Sequence, residues 1–178
     1  MKHILLSLTI LFLFFAIGGS YAHASTIFRA PSVNGLVGYW GFNESIGTAV
    51  LDKSGQGNNG TPTNMDSSDW VDGLVDKALD FDGTNDYVSI ADDANYDFGT
   101  DDFTISLWIN PNDTSVMEFI NKRAASTAEG FTIANNDGVN YDFFAGAGWG
   151  VANGKAIGTV DAATWTHILV TRNGSNFD

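Results

Sequence analysis

Apolar and polar side chains alternate most cleanly over residues 103–110 (FTISLWIN), with Phe103, Ile105, Leu107 and Ile109 on one side and Thr104, Ser106 and Trp108 on the other. A period of two is the mark of a half-buried strand, and Pro111, which has no amide donor, is expected to stop it. A slip of one residue would turn four apolar side chains outward, so the register is strongly specified. The same alternation recurs at 78–81 and 87–90, on either side of the turn 82–86 (DGTND). There Leu79 and Phe81 point one way, and Asp80 and Asp82 the other. Gly83 supplies the positive φ of a tight reversal, while Asp82 and Asp86 can hydrogen-bond their own backbone or hold a hard cation.

Further strands are predicted at 35–42 (GLVGYWGF), which carries large apolar groups on both faces, and at 116–121, 130–134, 141–144 and 165–171 (WTHILVT). Residues 43–63 read as turn chemistry almost throughout. Residues 65–77 (MDSSDWVDGLVDK) hold either one short helical turn capped by Ser67 or Asp69, or a loop with Trp70 folded inward. Short strands separated by Asn, Asp and Gly turns predict an all-β chain, folded as an antiparallel two-sheet sandwich.

Composition agrees with that fold and narrows the partners. Twenty glycines and 13% aromatic residues suit a loop-rich β protein better than a helical one. With no cysteine there is no disulfide and no thiol chemistry. The net charge is −13, and only three of the 21 acidic residues are Glu (Glu44, Glu118, Glu129). Asp favours turns and caps where Glu favours helices. A chain this acidic, lacking a basic patch, is repelled by nucleic acid and by anionic membranes.

The first residues read as a targeting segment. Lys2 and His3 precede an apolar run over residues 4–17, and Ala22-His23-Ala24 offers small residues for a signal peptidase. Residues 1–24 are therefore expected to be a signal peptide, with an uncleaved anchor as the alternative. Residues 25–34 form an extended lead-in, and 35–178 one domain. No membrane span is expected after signal removal, and the protein is placed outside the cytoplasm, secreted or at the cell surface.

Candidate chemistry points to binding. Retaining glycosidases need two carboxyl groups about 5–5.5 Å apart. None of the three glutamates has an Asp two positions on, so no catalytic residue is assigned. His167, the one histidine beyond the leader, shares a face with Trp165 and Leu169, which suggests a packed or edge position, and it reads as a satisfied structural histidine. The oxygen-rich loop 52–60 (DKSGQGNNG) and the turn 82–86 offer Asp52, Asn58, Asp82 and Asp86 as Ca²⁺ ligands, with glycine carbonyls completing the shell. A solvated Asx-rich turn without metal is the alternative. For a ligand, Trp149 in the glycine-rich stretch 143–154 is the first choice, with Asn153 beside it. Trp108 and Tyr39 point opposite to their strands' main apolar faces and are expected to line a concave sheet, unless each is simply core.

In order and spacing, YWGFNE (39–44), DKSGQGNNG (52–60), KALDFDGTNDYVSI (77–90), FTISLWINP (103–111) and WTHILVTRNG (165–174) resemble the LamG-like jelly-roll family, the laminin-G branch of the concanavalin A-like lectin/glucanase superfamily. The resemblance implies an all-β, antiparallel two-sheet jelly-roll sandwich, secreted or at a cell surface, often with calcium at loops on one rim. It also implies strands beyond those present, so the domain is expected to be truncated at its C-terminus. The function it implies is a secreted module that binds glycans with structural Ca²⁺. A protein-binding adhesion or structural module of the cell surface or matrix, or a non-catalytic accessory domain of a larger secreted hydrolase, are the alternatives.

Overall fold

The computed structural model describes residues 4–6, 35–123, 130–145, 154–174 and 176–177. Strands dominate them, and the only helices among the described residues are two single 3₁₀ turns, Ser67–Asp69 and Ala94–Tyr96. In chain order the strands are β1 (Ile4–Leu6), β2 (Gly60–Thr63), β3 (Trp70–Asp72), β4 (Lys77–Phe81), β5 (Tyr87–Ile90), β6 (Phe103–Pro111), β7 (Met117–Arg123), β8 (Gly130–Asn135), β9 (Asn140–Ala145), β10 (Lys155–Thr159), β11 (Thr166–Asn173) and β12 (Asn176–Phe177). They build a six-stranded sheet in the order β12-β11-β6-β1-β4-β3, a four-stranded sheet in the order β10-β9-β8-β7, and the pair β2-β5. Every pairing is antiparallel.

The two larger sheets face each other across one apolar layer. Leu107 and Ile109 of β6 and Ile168 and Val170 of β11 meet Phe131 and Ile133 of β8 and Tyr141 and Phe143 of β9, all buried. Burying each of these side chains stabilises the fold by about 1.5–3 kcal/mol. Phe98 caps the layer, stacked on Phe103 at 4.5 Å and on Phe131 at 5.5 Å. Phe42, Val50, Trp70 and Leu79 form a second, separate cluster. The protein is thus an all-β antiparallel sandwich of the jelly-roll kind.

Strand β6 forms where the alternation predicts it, although Pro111 is its last residue rather than the residue after it. The turn 82–86 does not close a hairpin. Strand β4 pairs with β1 and β3, whereas β5 pairs with β2, so the turn carries the chain round a corner from one sheet to another. Residues 35–42 are not a strand: only Trp40 makes a bridge, to Asp52. The backbone there is held by side chains of the following loop in place of a neighbouring strand. Gly60–Thr63 pairs as a strand inside the stretch read as turn. The 3₁₀ turn at Ser67–Asp69 is capped by Asp66, whose Oδ1 accepts from Ser68 N at 2.7 Å while its own N donates to Asp69 Oδ2 at 2.6 Å. Trp70 is folded inward, but from strand β3.

Within the segment expected to be a leader, the described residues are β1, and they lie between β4 and β6 near the middle of the six-stranded sheet.

Candidate ligand-binding face

With Leu107, Ile109, Ile168 and Val170 committed to the core, the pleat turns the intervening residues of β6 and β11 to the opposite face of the sheet. The antiparallel register sets His167 opposite Trp108, Leu169 opposite Ser106, and Thr171 opposite Thr104. The indole of Trp108 and the imidazole of His167 stack with centroids 4.8 Å apart and planes at 25°. Ser106 Oγ lies 2.8 Å from His167 Nε2, and the Thr104 and Thr171 hydroxyls are 3.3 Å apart. Thr104, Ser106, His167 and Leu169 are exposed and Trp108 is half-buried. The result is an aromatic platform bordered by hydroxyls on an open sheet face. A flat apolar ring with hydrogen-bonding groups at its edge suits a ligand with one apolar face and a polar rim.

Of the two positions that the sequence left open for His167, packed or edge, the structure gives an exposed one, with the ring stacked on Trp108 and hydrogen-bonded to Ser106. Both faces of WTHILVT carry apolar residues, and the pairing with β6 chooses Ile168 and Val170 for the core. Trp165 precedes β11 and takes no part in its alternation. Of the predicted ligand-binding residues, Trp108 belongs to this face. Tyr39 does not: it lies outside any strand, with its N donating to Asp52 Oδ1 at 3.0 Å and its O accepting from Lys53 N at 2.8 Å. Trp149 and Asn153 lie outside the described residues. Ser106, Thr104 and Thr171, which share this face, were not among the predicted residues. The alternation of β6 already put Ser106 and Thr104 on the side of Trp108, and that signal could have found them.

The four predicted calcium ligands divide into two structural turns. Asp52 organises the loop 52–60. Its Oδ1 accepts from Tyr39 N and from Ser54 N (2.8 Å), and its Oδ2 from Ser54 Oγ (2.8 Å) and Asn58 N (2.9 Å). A carboxylate offers about four lone-pair sites, and these donors use them. Burial pushes the Asp52 carboxyl upward, but the bonds from Ser54, Tyr39 and Asn58 outweigh it and hold the group below its ordinary value. Asn58 is engaged as well: its O accepts from Trp40 Nε1 at 2.8 Å and its Nδ2 donates to Val37 O at 3.3 Å. Tyr96, which packs against Trp40 at 6.3 Å, has its phenol pushed up to about 12 by burial and by the charges of Asp52 and Asp93.

In the second turn, Asp82 Oδ1 accepts from Thr84 N (2.7 Å) and Asn85 N (3.2 Å), and Asp86 Oδ2 accepts from Asp82 N (2.9 Å). The Thr84 amide is the leading cause that lowers the Asp82 pKa. The β2–β5 register separates the two turns. The loop 52–60 runs into Gly60, opposite Ile90, and the turn 82–86 runs into Tyr87, opposite Thr63. They enter opposite ends of this ladder, three residues or roughly 10 Å apart along it. Among the described residues no group of three or more His, Asp or Glu side chains is gathered as a metal site. Asp52, Asn58, Asp82 and Asp86 do not fit one shared Ca²⁺ site.

A family model of the laminin-G type, described as the concanavalin A-like lectin/glucanases superfamily, matches residues 82–178. The chain belongs to this superfamily. The match takes in β6 and β11, and so the whole of the open face. No curated protein and no solved structure matches the chain. Membership of the concanavalin A-like superfamily supports a binding module in general terms, and laminin-G-like domains typically bind glycans or proteins, outside the cell and without catalysis. Among the described residues no helix is long and apolar enough to cross a membrane.

Proposed function

We propose that this protein is an exported carbohydrate-binding module whose ligand lies on the open face of β6 and β11. The observation that carries this reading is the Trp108–His167 stack with Ser106 beside it. Sugars present one C–H face and a rim of hydroxyls, so an indole takes the face while Ser106, Thr104, Thr171 and His167 reach the rim. The net charge of −13 favours neutral or cationic glycans over polyanionic ones.

The superfamily also hosts protein-binding adhesion modules and accessory domains of secreted hydrolases, and the same experiment separates these readings. A glycan array followed by titration calorimetry is expected to find binding by the native chain and at least a tenfold loss in Trp108→Ala. A folded Trp108→Ala protein with full glycan signal removes the platform. Absence of glycan binding by the native chain transfers the face to a protein partner.

A further inference from the structure

Three hydrogen-bond donors converge over Gly41. A Cβ built there would have, apart from its chain neighbours, Asn43 Nδ2 at 3.6 Å, Lys53 Nζ at 3.6 Å and Tyr39 Oη at 3.9 Å as its nearest heavy atoms. All three carry protons to donate, and among the described residues none of them donates a hydrogen bond. The backbone holds them in place. Lys53 N donates to Tyr39 O at 2.8 Å and Trp40 bridges Asp52, so the two short segments run side by side. Lys77 N, at the start of β4, donates to Asn43 Oδ1 at 3.1 Å, which orients the amide and leaves its Nδ2 to Gly41.

One acceptor stands beside these donors. The Glu44 side chain is only 9% exposed, and its Oε1 accepts from Leu51 N at 3.3 Å and lies 4.0 Å from Lys53 Nζ. Its Oε2 is buried and has no hydrogen-bond partner among the described residues. At 4.0 Å the ammonium attracts the carboxylate without hydrogen bonding it, and a buried oxygen without a donor is costly. The inventory is therefore three donors without an acceptor and one carboxylate oxygen without a donor, with the charges of Lys53 and Glu44 cancelling locally. That inventory selects the ligand. A carboxylate or phosphate suits the donors and is repelled by Glu44, while an ammonium suits Glu44 and is repelled by Lys53. A neutral hydroxyl does both, because its oxygen accepts while its proton is donated. Two adjacent hydroxyls bring four lone pairs for the three donors and a proton for Glu44.

The geometry points to a second sugar site over Gly41, in which a vicinal diol of a neutral sugar accepts from Lys53, Asn43 and Tyr39 and donates to Glu44 Oε2. Lys53, with a side chain 44% exposed on a flexible stem, is the movable wall that admits the ligand. Gly41 leaves the room that any side chain would take. The site shares a ligand class with the Trp108 face but none of its residues. Tyr39, Gly41, Asn43, Glu44 and Lys53 lie outside β6 and β11, and all of them precede the matched residues 82–178.

Solution NMR of the full-length chain, following the Asn43 side-chain amide, tests this. The probes are the methyl glycosides of glucose, galactose and mannose, with acetate and methylammonium as charged controls. At least one glycoside is expected to shift that signal saturably in the millimolar range, equally in the native chain and in Trp108→Ala, while both ions leave it in place. A shift that disappears in Trp108→Ala assigns the sugar to the other face and overturns the proposal. Gly41→Ala is the sharpest variant. Gly41 is not in the left-handed region and the added methyl group meets its neighbours at ordinary contact distances, so the chain is expected to fold as before. The methyl group stands where the ligand's hydroxyls belong, and affinity is expected to fall at least tenfold. Glu44→Gln keeps an oxygen for the Leu51 amide but puts a donor in place of the unpaired one, and it is expected to weaken binding at least fivefold. The site is refuted if no glycoside moves the Asn43 signal, if either ion moves it instead, or if a folded Gly41→Ala or Glu44→Gln chain binds as the native one does. Should Gly41→Ala fail to fold, Lys53→Met removes the ammonium from a half-exposed side chain and keeps its stem. A tenfold loss is expected there too, and undiminished affinity is equally fatal.

Discussion

Trp108 and His167 stack ring on ring, 4.8 Å apart, on the side of the sheet that faces away from the core. Because they are directly opposite in the β6–β11 ladder, the contact is a cross-strand pair, and such aromatic pairs contribute about 0.5–1.5 kcal/mol beyond the area they bury. A double-mutant cycle of Trp108→Ala and His167→Ala, read by urea unfolding, is expected to show a coupling of that size. Single losses that add to within about 0.3 kcal/mol would mean that the stack holds nothing. His167→Ala is also expected to weaken glycan binding less than Trp108→Ala, since it removes an edge donor and leaves the indole face in place.

Asp52 holds the N-terminal part of the domain to its loop through Tyr39, Ser54 and Asn58. Asp52→Ala leaves several donors without an acceptor and is expected to cost about 2 kcal/mol, each part-buried donor counting toward the lower end of the usual penalty. Asp52→Asn, which keeps one acceptor oxygen, is expected to lose about half as much. The pH dependence follows from the direction of the shift. The folded-state value is lowered, so the stabilisation is fully present above the ordinary carboxylate range and is lost as pH falls through it to the folded value. Chemical unfolding between neutral pH and pH 3 is expected to show that decline in the native chain and a shallower one in Asp52→Asn.

Calcium is expected to leave the melting temperature unchanged. The carboxylate of Asp52 is filled by protein donors, and the Asp82–Asp86 turn enters the other end of the β2–β5 ladder. Scanning calorimetry in millimolar Ca²⁺ and in excess chelator is expected to give superimposable transitions. A rise of several degrees with Ca²⁺ would show that one of the turns trades its internal hydrogen bonds for a cation.

Strand β6 was legible because its alternation, its β-branched residues and its terminal proline agree, and nothing in the tertiary structure opposes them. The run GLVGYWGF carried an equally apolar signal and failed. Gly38 and Gly41 interrupt it, Trp40 turns its indole to Asn58, and the Tyr39 amide is taken by a carboxylate, so side chains replace the ladder. Strand β10 was invisible for the opposite reason. In KAIGT only Ile157 packs on the core, and an edge strand needs little hydrophobic pattern to pair. The sequence left His167 between a packed and an edge position because alternation names two faces without saying which one is covered. The loop carboxylates showed their turn chemistry plainly, but a donor-filled Asp and a metal-binding Asp have the same sequence signature. The separation of the two turns depends on a β2–β5 pairing that no local pattern reveals.

Gly38 is required by Trp40. A Cβ placed on Gly38 would come within 2.1 Å of the Trp40 ring at Cη2 and within 2.6 Å at Cζ3, well inside any real carbon contact. The ring cannot yield freely, because its Nε1 is bonded to Asn58 O and its face packs against Tyr96. Gly38→Ala is therefore expected to displace the indole and to cost about 1–3 kcal/mol, as overpacking does elsewhere. Tryptophan emission would shift to the red as the ring gains solvent, and Trp40→Leu in the same background is expected to recover part of the loss by removing the obstructing ring. If Gly38→Ala unfolds at the native urea midpoint, the folded-back indole is not the constraint that excludes a side chain here.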